Sequence, residues 1–453
     1  MLAKARNIRV VFQEFIEKTL KQKKRILRLS REFGWIILGQ GASVAGSLAL
    51  VRVLTGYLDP VEYGQLALGL TVATLVNQVV MGGLLAGIGR FFSIANERGD
   101  LWGYLLAARR MLIMATAVVV GLGGVVISGL GFAGMTHGAG LATAAVGLSL
   151  ISSYNSALNG IQNAARQRAI VALHGGMDAW LKIGLAVGAM LLLGQNSTAV
   201  VVGFMLSACI ITLSQFFLFR RSVAKKENPS PQMSDADWTR QMWSYSWPFS
   251  IWGIFTWIQI SSDRWALERF STTSEVGQYA VLYQLGYTPI FMVAGMAVTF
   301  LGPILFQRSN PSSDGVTRQS AHNLSWKTVY LALGCTVLGF MVTVVCHRWI
   351  FELLVAEPFH GVSYLLPWVV LAGGLFSAAQ MLALKLMAEM RIRKLLVVKV
   401  VTALLGVGAN VLAAWLFGIS GVVIGILFFS LIYFSWVTFL SARPYVLGKL
   451  NPL

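Results

Sequence analysis

Charge is what this sequence most conspicuously has little of: only 12% of its 453 residues are Asp, Glu, Lys or Arg, about half the share in a soluble domain. A water-facing globular surface over the whole chain is thereby excluded. Cysteine is nearly absent as well. Cys209, Cys335 and Cys346 are an odd number and all fall in apolar runs, which excludes a disulfide framework and reads as small core residues. No glycine-rich phosphate cradle and no His/Cys/Asp metal spacing is present, and no long polar insertion could house an active site. Strand-like alternation over about ten residues is missing too, which excludes a membrane β-barrel.

What remains is apolar: 56% of the residues are hydrophobic, gathered in runs of roughly 20 or more, the length that crosses a ~30 Å hydrocarbon core. Lipid leaves no backbone group unpaired, so such runs must be helical. We place spans at 33–56, 65–92, 109–131, 139–160, 169–193, 198–219, 242–262, 276–306, 324–346, 361–384, 395–416 and 419–440. The expected fold class is an all-α polytopic membrane protein with about 12 transmembrane helices.

The net charge of +18 could suit a nucleic-acid binder, but its distribution argues otherwise. The basic residues crowd onto one side, in alternate connections and the span ends that adjoin them, including Arg90, Arg98, Arg166, Arg168, Arg220, Arg308, Lys385, Arg391 and Lys399. Only Arg264, Arg269 and Arg348 fall in connections on the other side, while Arg52 and Lys182 lie inside spans. By the positive-inside rule this predicts both termini in the cytoplasm of a multi-pass protein of the bacterial inner membrane, with no nucleic-acid partner. Residues 1–32 carry ten Lys and Arg. Ile8, Val11, Phe12, Phe15 and Leu20 recur there at helical spacing, which predicts a basic amphipathic helix lying on anionic membrane lipids or docking on a partner. The segment is too long for the n-region of a cleavable signal.

The segment 220–241 (RRSVAKKENPSPQMSDADWTRQ) is the longest polar interruption after the N-terminus and splits the spans six and six. We read it as a cytoplasmic linker between units 33–219 and 242–440, with 441–453 as a tail. An internal repeat agrees: Glu62, Gly64 and Gln65 in "LDPVEYGQLALG" match Glu275, Gly277 and Gln278 in "TTSEVGQYAVLY". Arg52 and Arg264 then correspond, and "NAARQRAI" (163–170) matches "AEMRIRKL" (388–395). Parallel repeats are one of the known transporter constructions.

The arginine late in the first span, the turn "DPVEYG", the second span ending "GLLAGIGRFF", the turn "TSEVGQYAVLY" and the basic turn "ARQRA" together resemble the polysaccharide-type (Wzx-like) flippases of the multidrug/oligosaccharidyl-lipid/polysaccharide exporter superfamily. The resemblance runs over residues ~33–440. It implies two six-helix bundles around a central cavity, alternating access, and translocation of undecaprenyl-pyrophosphate-linked oligosaccharide from the inner to the outer leaflet, with other glycan-assembly membrane proteins as further partners. No cofactor, metal or enzymatic activity is implied, so transport would draw on an ion, potential or substrate gradient. Two other readings stand beside it. A drug/cation antiporter of the same superfamily would be poorly served by cationic cavity residues. A membrane glycan polymerase or ligase would present a larger outer loop than 347–360.

Charges inside spans are expensive and so point to a wet cavity or a partner. His174, Asp178 and Lys182 recur every four residues on one helix face. They form either a self-neutralising pair or a cluster in which Lys182 attracts an anionic substrate and Asp178 or His174 carries a coupling proton. Arg52 and Arg264 are candidates for binding a phosphate in bidentate fashion, or simply snorkel to head groups. Asp263 is the neighbour that could pair with Arg264. Thr256, Gln259 and Asp263 form one polar stripe and Ser149, Ser153, Ser156 and Asn159 or Asn163 another. Asn77, Gln78, Gln284 and Gln380 are isolated amides. Sugar contact and helix–helix hydrogen bonding are both open to these residues.

Overall fold

A computed structural model describes residues 34–35, 37–165, 167–223, 235–309, 315–389 and 391–442. Among them every regular element is helical, as a chain whose backbone must satisfy itself in lipid requires. The predicted amphipathic segment 1–32 and nearly all of the tail lie outside the described residues.

The first six helices are α1 (Ile37–Tyr57), α2 (Pro60–Arg98), α3 (Leu101–Phe132), α4 (Thr136–Ala164), α5 (Arg168–Leu193) and α6 (Ser197–Val223). The second six begin with α7 (Asp235–Phe270) and α8, which runs Thr273–Gly286 and resumes as Thr288–Arg308 beyond Tyr287. There follow α9 (Gly315–Leu354), a 3-10 segment Glu357–Leu365 and α10 (Leu366–Ala388). The last stretch, Ile392–Ala442, is broken at Gly418 (φ 55, ψ −135), giving α11 before it and α12 after. Ten helices are long and apolar enough to cross a membrane by composition. That figure joins α11 to α12, and α7 falls outside it, although α7 packs along the interior. The chain is therefore an all-α, multi-pass membrane protein.

Of the expected linker 220–241, residues up to 223 complete α6 and residues from 235 already belong to α7. Trp238 is fully buried, donates from its indole nitrogen to Asp100 Oδ2 at 2.8 Å, and packs with Met242 against α2 and α3. The opening turns of α7 are thus core of the first half. The three cysteines are also not core: Cys335 is exposed on the helix surface and the other two are half-buried.

The sequence repeat is repeated in the contacts. Asp59 caps α2 by accepting from Glu62 N at 2.8 Å, and Thr272 caps α8 by accepting from Glu275 N at 3.2 Å. Glu62 Oε2 then accepts from Ser197 N at the start of α6, and Glu275 Oε2 accepts from Ile419 N at the start of α12. A carboxylate meets the positive end of the last helix in each half. Gly418 holds the left-handed backbone beside the Glu275 carboxylate, where a side chain would collide.

The two glycines of the repeat cross each other. A Cβ on Gly64 would strike the Thr273 carbonyl oxygen, and one on Gly277 would strike the Pro60 carbonyl oxygen. Here α2 and α8 close the end of the molecule opposite the basic turns. Arg52 Nη1 donates to the Val355 carbonyl at 2.8 Å and Ala356 N donates to Thr55 Oγ1 at 3.2 Å, tying α1 to the α9 terminus at the same end. A second seam joins α2 to α7 along their length. Trp257 and Trp265 donate to the backbone and side-chain oxygens of Thr71. Gly253 lies on the Gln78 carbonyl, and Gly83 and Gly87 lie on Ser246. A π-helical turn, Val76–Met81, interrupts the α-helical ladder of α2 at this level.

Candidate functional site

The polar stripe of α7 opens onto a cavity of about 100 Å3 inside the second half. Thr256, Gln259 and Asp263 line one wall because i, i+3, i+7 spacing holds them on one face. Gln380 faces them from α10, Lys399 and Asn410 from α11, and Phe429 from α12. Tyr283, Tyr287 and Phe291 from α8 and Phe376 from α10 supply aromatic walls. Tyr283 and Tyr287 stack with ring centroids 4.5 Å apart, and Tyr287 lies 5.9 Å from Phe376. The ladder begins with Tyr279, so aromatics recur every four residues from 279 to 291. That four-residue spacing is a signal the sequence itself carries.

Lys399 corrects the sequence reading. Grouped with the cytoplasmic-side cations although it falls within the span at 395–416, it stands on α11 against the cavity, with Nζ 4.4 Å from the Trp252 ring centroid. It makes no ion pair among the described residues. Lys385 is likewise not in a loop: buried on α10, it donates to the Ser441 carbonyl at 2.7 Å at the end of α12, a favourable place for a cation.

Asp263 and Arg264 are brought together with tyrosines. Asp263 accepts from Tyr279 Oη at 2.6 Å and from Arg264 N at 2.7 Å. The Arg264 guanidinium, 12% exposed, donates to the Ile260 carbonyl at 2.9 Å and lies 3.5 Å from Asp263 Oδ1. It also lies 4.8 Å from the Tyr283 ring centroid. Arg264 and Gln284 line an adjoining space of about 220 Å3 between the halves, shared with Tyr63, Thr71 and Phe204. Gln284 Oε1 accepts from Thr288 Oγ1 at 3.3 Å.

The candidates of the first half are placed differently. Arg52 is exposed and holds Val355 as described, so repeat-equivalent arginines have unlike surroundings. Asn77 Oδ1 accepts from Ser153 Oγ at 2.6 Å, while Gln78 meets α7 through its backbone. His174 is buried between the Ile170 carbonyl (2.8 Å) and Ser214 Oγ (3.0 Å). Lys182 Nζ sits 2.6 Å from Asp178 Oδ2, and Ser207 Oγ donates to Asp178 Oδ1 at 2.9 Å. The pair neutralises itself along α5, and neither side chain lines the cavities described here. Neutralising both at once (Asp178→Asn with Lys182→Gln) is expected to leave thermal stability within about 1 kcal/mol of wild type. A larger fall in detergent-solubilised Tm would assign the pair a role beyond mutual neutralisation.

At the basic end a third and larger cavity, about 510 Å3, separates the halves. Gln40 and Ser43 of α1, Asn159 and Asn163 of α4 and Arg168 of α5 face Phe291, Met292 and Met296 of α8 across it. One wall is polar and basic, the other apolar and adaptable. Among the described residues no group of three or more His, Cys, Asp or Glu is placed to hold a metal ion.

Against known proteins, the profile of a family described as "Polysaccharide biosynthesis protein" matches residues 29–309. The fold is similar to the lipid II flippase MurJ in an inward closed conformation (TM-score 0.64, 12% identity, 91% of this chain and 87% of that one). It is similar to a MATE in complex with MaL6 (TM-score 0.62, 14% identity, 91% and 96% covered). It also resembles a MOP superfamily transporter from Pyrococcus furiosus, noted for the reverse polarity of its binding pocket (TM-score 0.62, 14% identity, 91% and 95% covered). At such identities these likenesses establish the fold alone. No curated protein matches the chain.

Proposed function

This chain belongs to the polysaccharide biosynthesis protein family, and from that premise we propose that it moves undecaprenyl-pyrophosphate-linked oligosaccharide from the inner to the outer leaflet of the bacterial cytoplasmic membrane. Its basic end faces the cytoplasm, as the distribution of Lys and Arg requires. The halves alternate between the arrangement described, closed where Gly64 and Gly277 cross, and its converse.

The observation that carries this reading is the cleft at the basic end. Its polar wall of Gln40, Ser43, Asn159, Asn163 and Arg168 facing the apolar Phe291, Met292 and Met296 suits an amphiphile with a sugar head, a phosphate and a lipid tail. MurJ, with a similar fold, is named a lipid II flippase. The fold does not separate this reading from a drug/cation antiporter, since MATE structures resemble the chain equally well. The cations Arg264 and Lys399 in the interior cavities disfavour a cationic cargo, and the family match concerns polysaccharide.

The test is reconstitution of the full chain into vesicles carrying extracted lipid-linked oligosaccharide. Exposure of the glycan to an impermeant glycosidase is then followed in time. The protein is expected to turn a slow, partial digestion into a complete one. A cell depleted of the protein is expected to accumulate the same lipid-linked glycan. Digestion unaffected by the protein would overturn the reading.

A further inference from the structure

We propose that the cavity within the second half is a subsite for one sugar ring that carries a negative charge, held with the anion toward Lys399. The inference deepens the flippase reading and rests on it, and it concerns a cavity that adjoins the cleft at the basic end across Phe291.

Three observations carry it. First, five aromatic rings, those of Tyr283, Tyr287, Phe291, Phe376 and Phe429, line it beside the aliphatic Ile260, Ala403 and Ile426. Tyr283 and Tyr287 stack nearly parallel (16°), and Phe376 bridges Tyr287 to Phe429, with centroids 5.9 and 5.8 Å apart. The apolar C–H face of a pyranose is the kind of surface such rings cover, while its hydroxyls need directed polar partners. Second, those partners are present. Gln259 and Gln380 line the cavity from opposite walls. Asn410 also lines the cavity and donates to Ser262 Oγ at 3.1 Å, while its Oδ1 is packed toward Gly425 of α12.

Third, the charges are unequal. Asp263 is consumed by Tyr279 Oη, Arg264 N and the Arg264 guanidinium. Lys399 has no carboxylate partner among the described residues and rests on the face of Trp252, an arrangement that positions an ammonium without neutralising it. An anion in the cavity would complete it through charge-assisted hydrogen bonds in a region of low dielectric. The placement also sets a direction. Lys399 lies about 10 Å into α11 from the basic end, and Asp263 about 10 Å from the opposite end of α7, at 1.5 Å per residue. An anionic sugar would be drawn toward the first, while the second, already paired with Arg264, offers it no net charge.

The negative charge has two possible sources: the carboxylate of a sugar acid within the glycan, or the phosphate ester at its reducing end. The test is saturation-transfer NMR of the purified full chain with methyl glucoside, glucuronate and glucose 1-phosphate. At least one anionic sugar is expected to bind about tenfold more tightly than the neutral one, a difference of about 1.4 kcal/mol. Preference for glucuronate assigns the sugar acid, and preference for glucose 1-phosphate assigns the phosphate linkage. Lys399→Gln is expected to abolish the preference while the neutral sugar still binds, and Lys399→Arg to retain it. Tyr287→Ala is expected to weaken all three sugars alike. Equal binding of neutral and anionic sugars, a preference surviving in Lys399→Gln, or no binding at all would overturn the subsite. Vesicle digestion with the same preparations keeps the two ideas apart. Translocation without sugar binding leaves the flippase reading and removes the subsite, and binding without translocation does the reverse.

Discussion

Valine in place of Gly64 or Gly277 is expected to wedge open the end of the molecule opposite the basic turns and to reduce translocation by at least about tenfold. The obstacle in each case is backbone, the Thr273 or the Pro60 carbonyl oxygen, which cannot rotate aside as a side-chain tip would. Relief must come from moving α2 and α8 apart, and an overpacked contact of this kind costs about 1–3 kcal/mol. A shift of that size is enough to change which state is the populated one. Ser261, on the wall of the space between the halves, offers a reporter. With the three native cysteines replaced, Ser261→Cys is expected to react slowly with an impermeant thiol reagent applied from the outer side. Adding Gly64→Val is expected to speed that reaction. Unchanged labelling together with unchanged translocation would mean that this crossing is no gate.

Removing Arg264 is expected to be the most destabilising single change in the second half. Asp263 is buried, and the guanidinium 3.5 Å away is the cation beside it. Arg264→Ala leaves a carboxylate with the Tyr279 hydroxyl and a backbone N–H but no countercharge, a situation that costs about 3–5 kcal/mol. A corresponding fall in Tm should be seen with a thiol-reactive dye in detergent. Arg264→Lys keeps the charge but loses the planar group set against Tyr283, and should fall between the two. The double change Asp263→Asn with Arg264→Gln should recover most of the stability, because no unpaired charge remains. If that stable double variant still translocates, the pair is a structural tie. If it is stable and inactive, Arg264 serves the substrate.

How far the site could be read beforehand depended on the kind of signal. The glycine–glutamate repeat was legible, and the contacts explain it: Gly64 and Gly277 cross, while Glu62 and Glu275 cap the last helix of each half. The stripe Thr256, Gln259, Asp263 was legible from spacing and lines a cavity with Gln380. The equivalence of Arg52 and Arg264 in sequence did not carry over to their surroundings, since one holds the Val355 carbonyl and the other lies among tyrosines. Lys399 was hidden by its neighbours. It follows Arg391, Arg393 and Lys394 closely, and although it falls within the span at 395–416, nothing local in the sequence tells that its side chain faces a cavity.

By itself the sequence determined that the chain is helical and spans a membrane many times, which end carries the positive charge, and which side chains cap the repeated turns. These properties are local: a run of about 20 apolar residues, a capping side chain three residues from its donor and the sign of a turn act without reference to distant parts of the chain. Only the tertiary structure decided which charges are spent on each other and which face a cavity. Lys182 is neutralised by Asp178, Asp263 by Arg264, and Lys399 is left without a carboxylate among the described residues. The reason is geometric. A helix turns once in about 3.6 residues, so a rotation of one residue exchanges a partner for a cavity, and that rotation is fixed by the packing of every other helix against it.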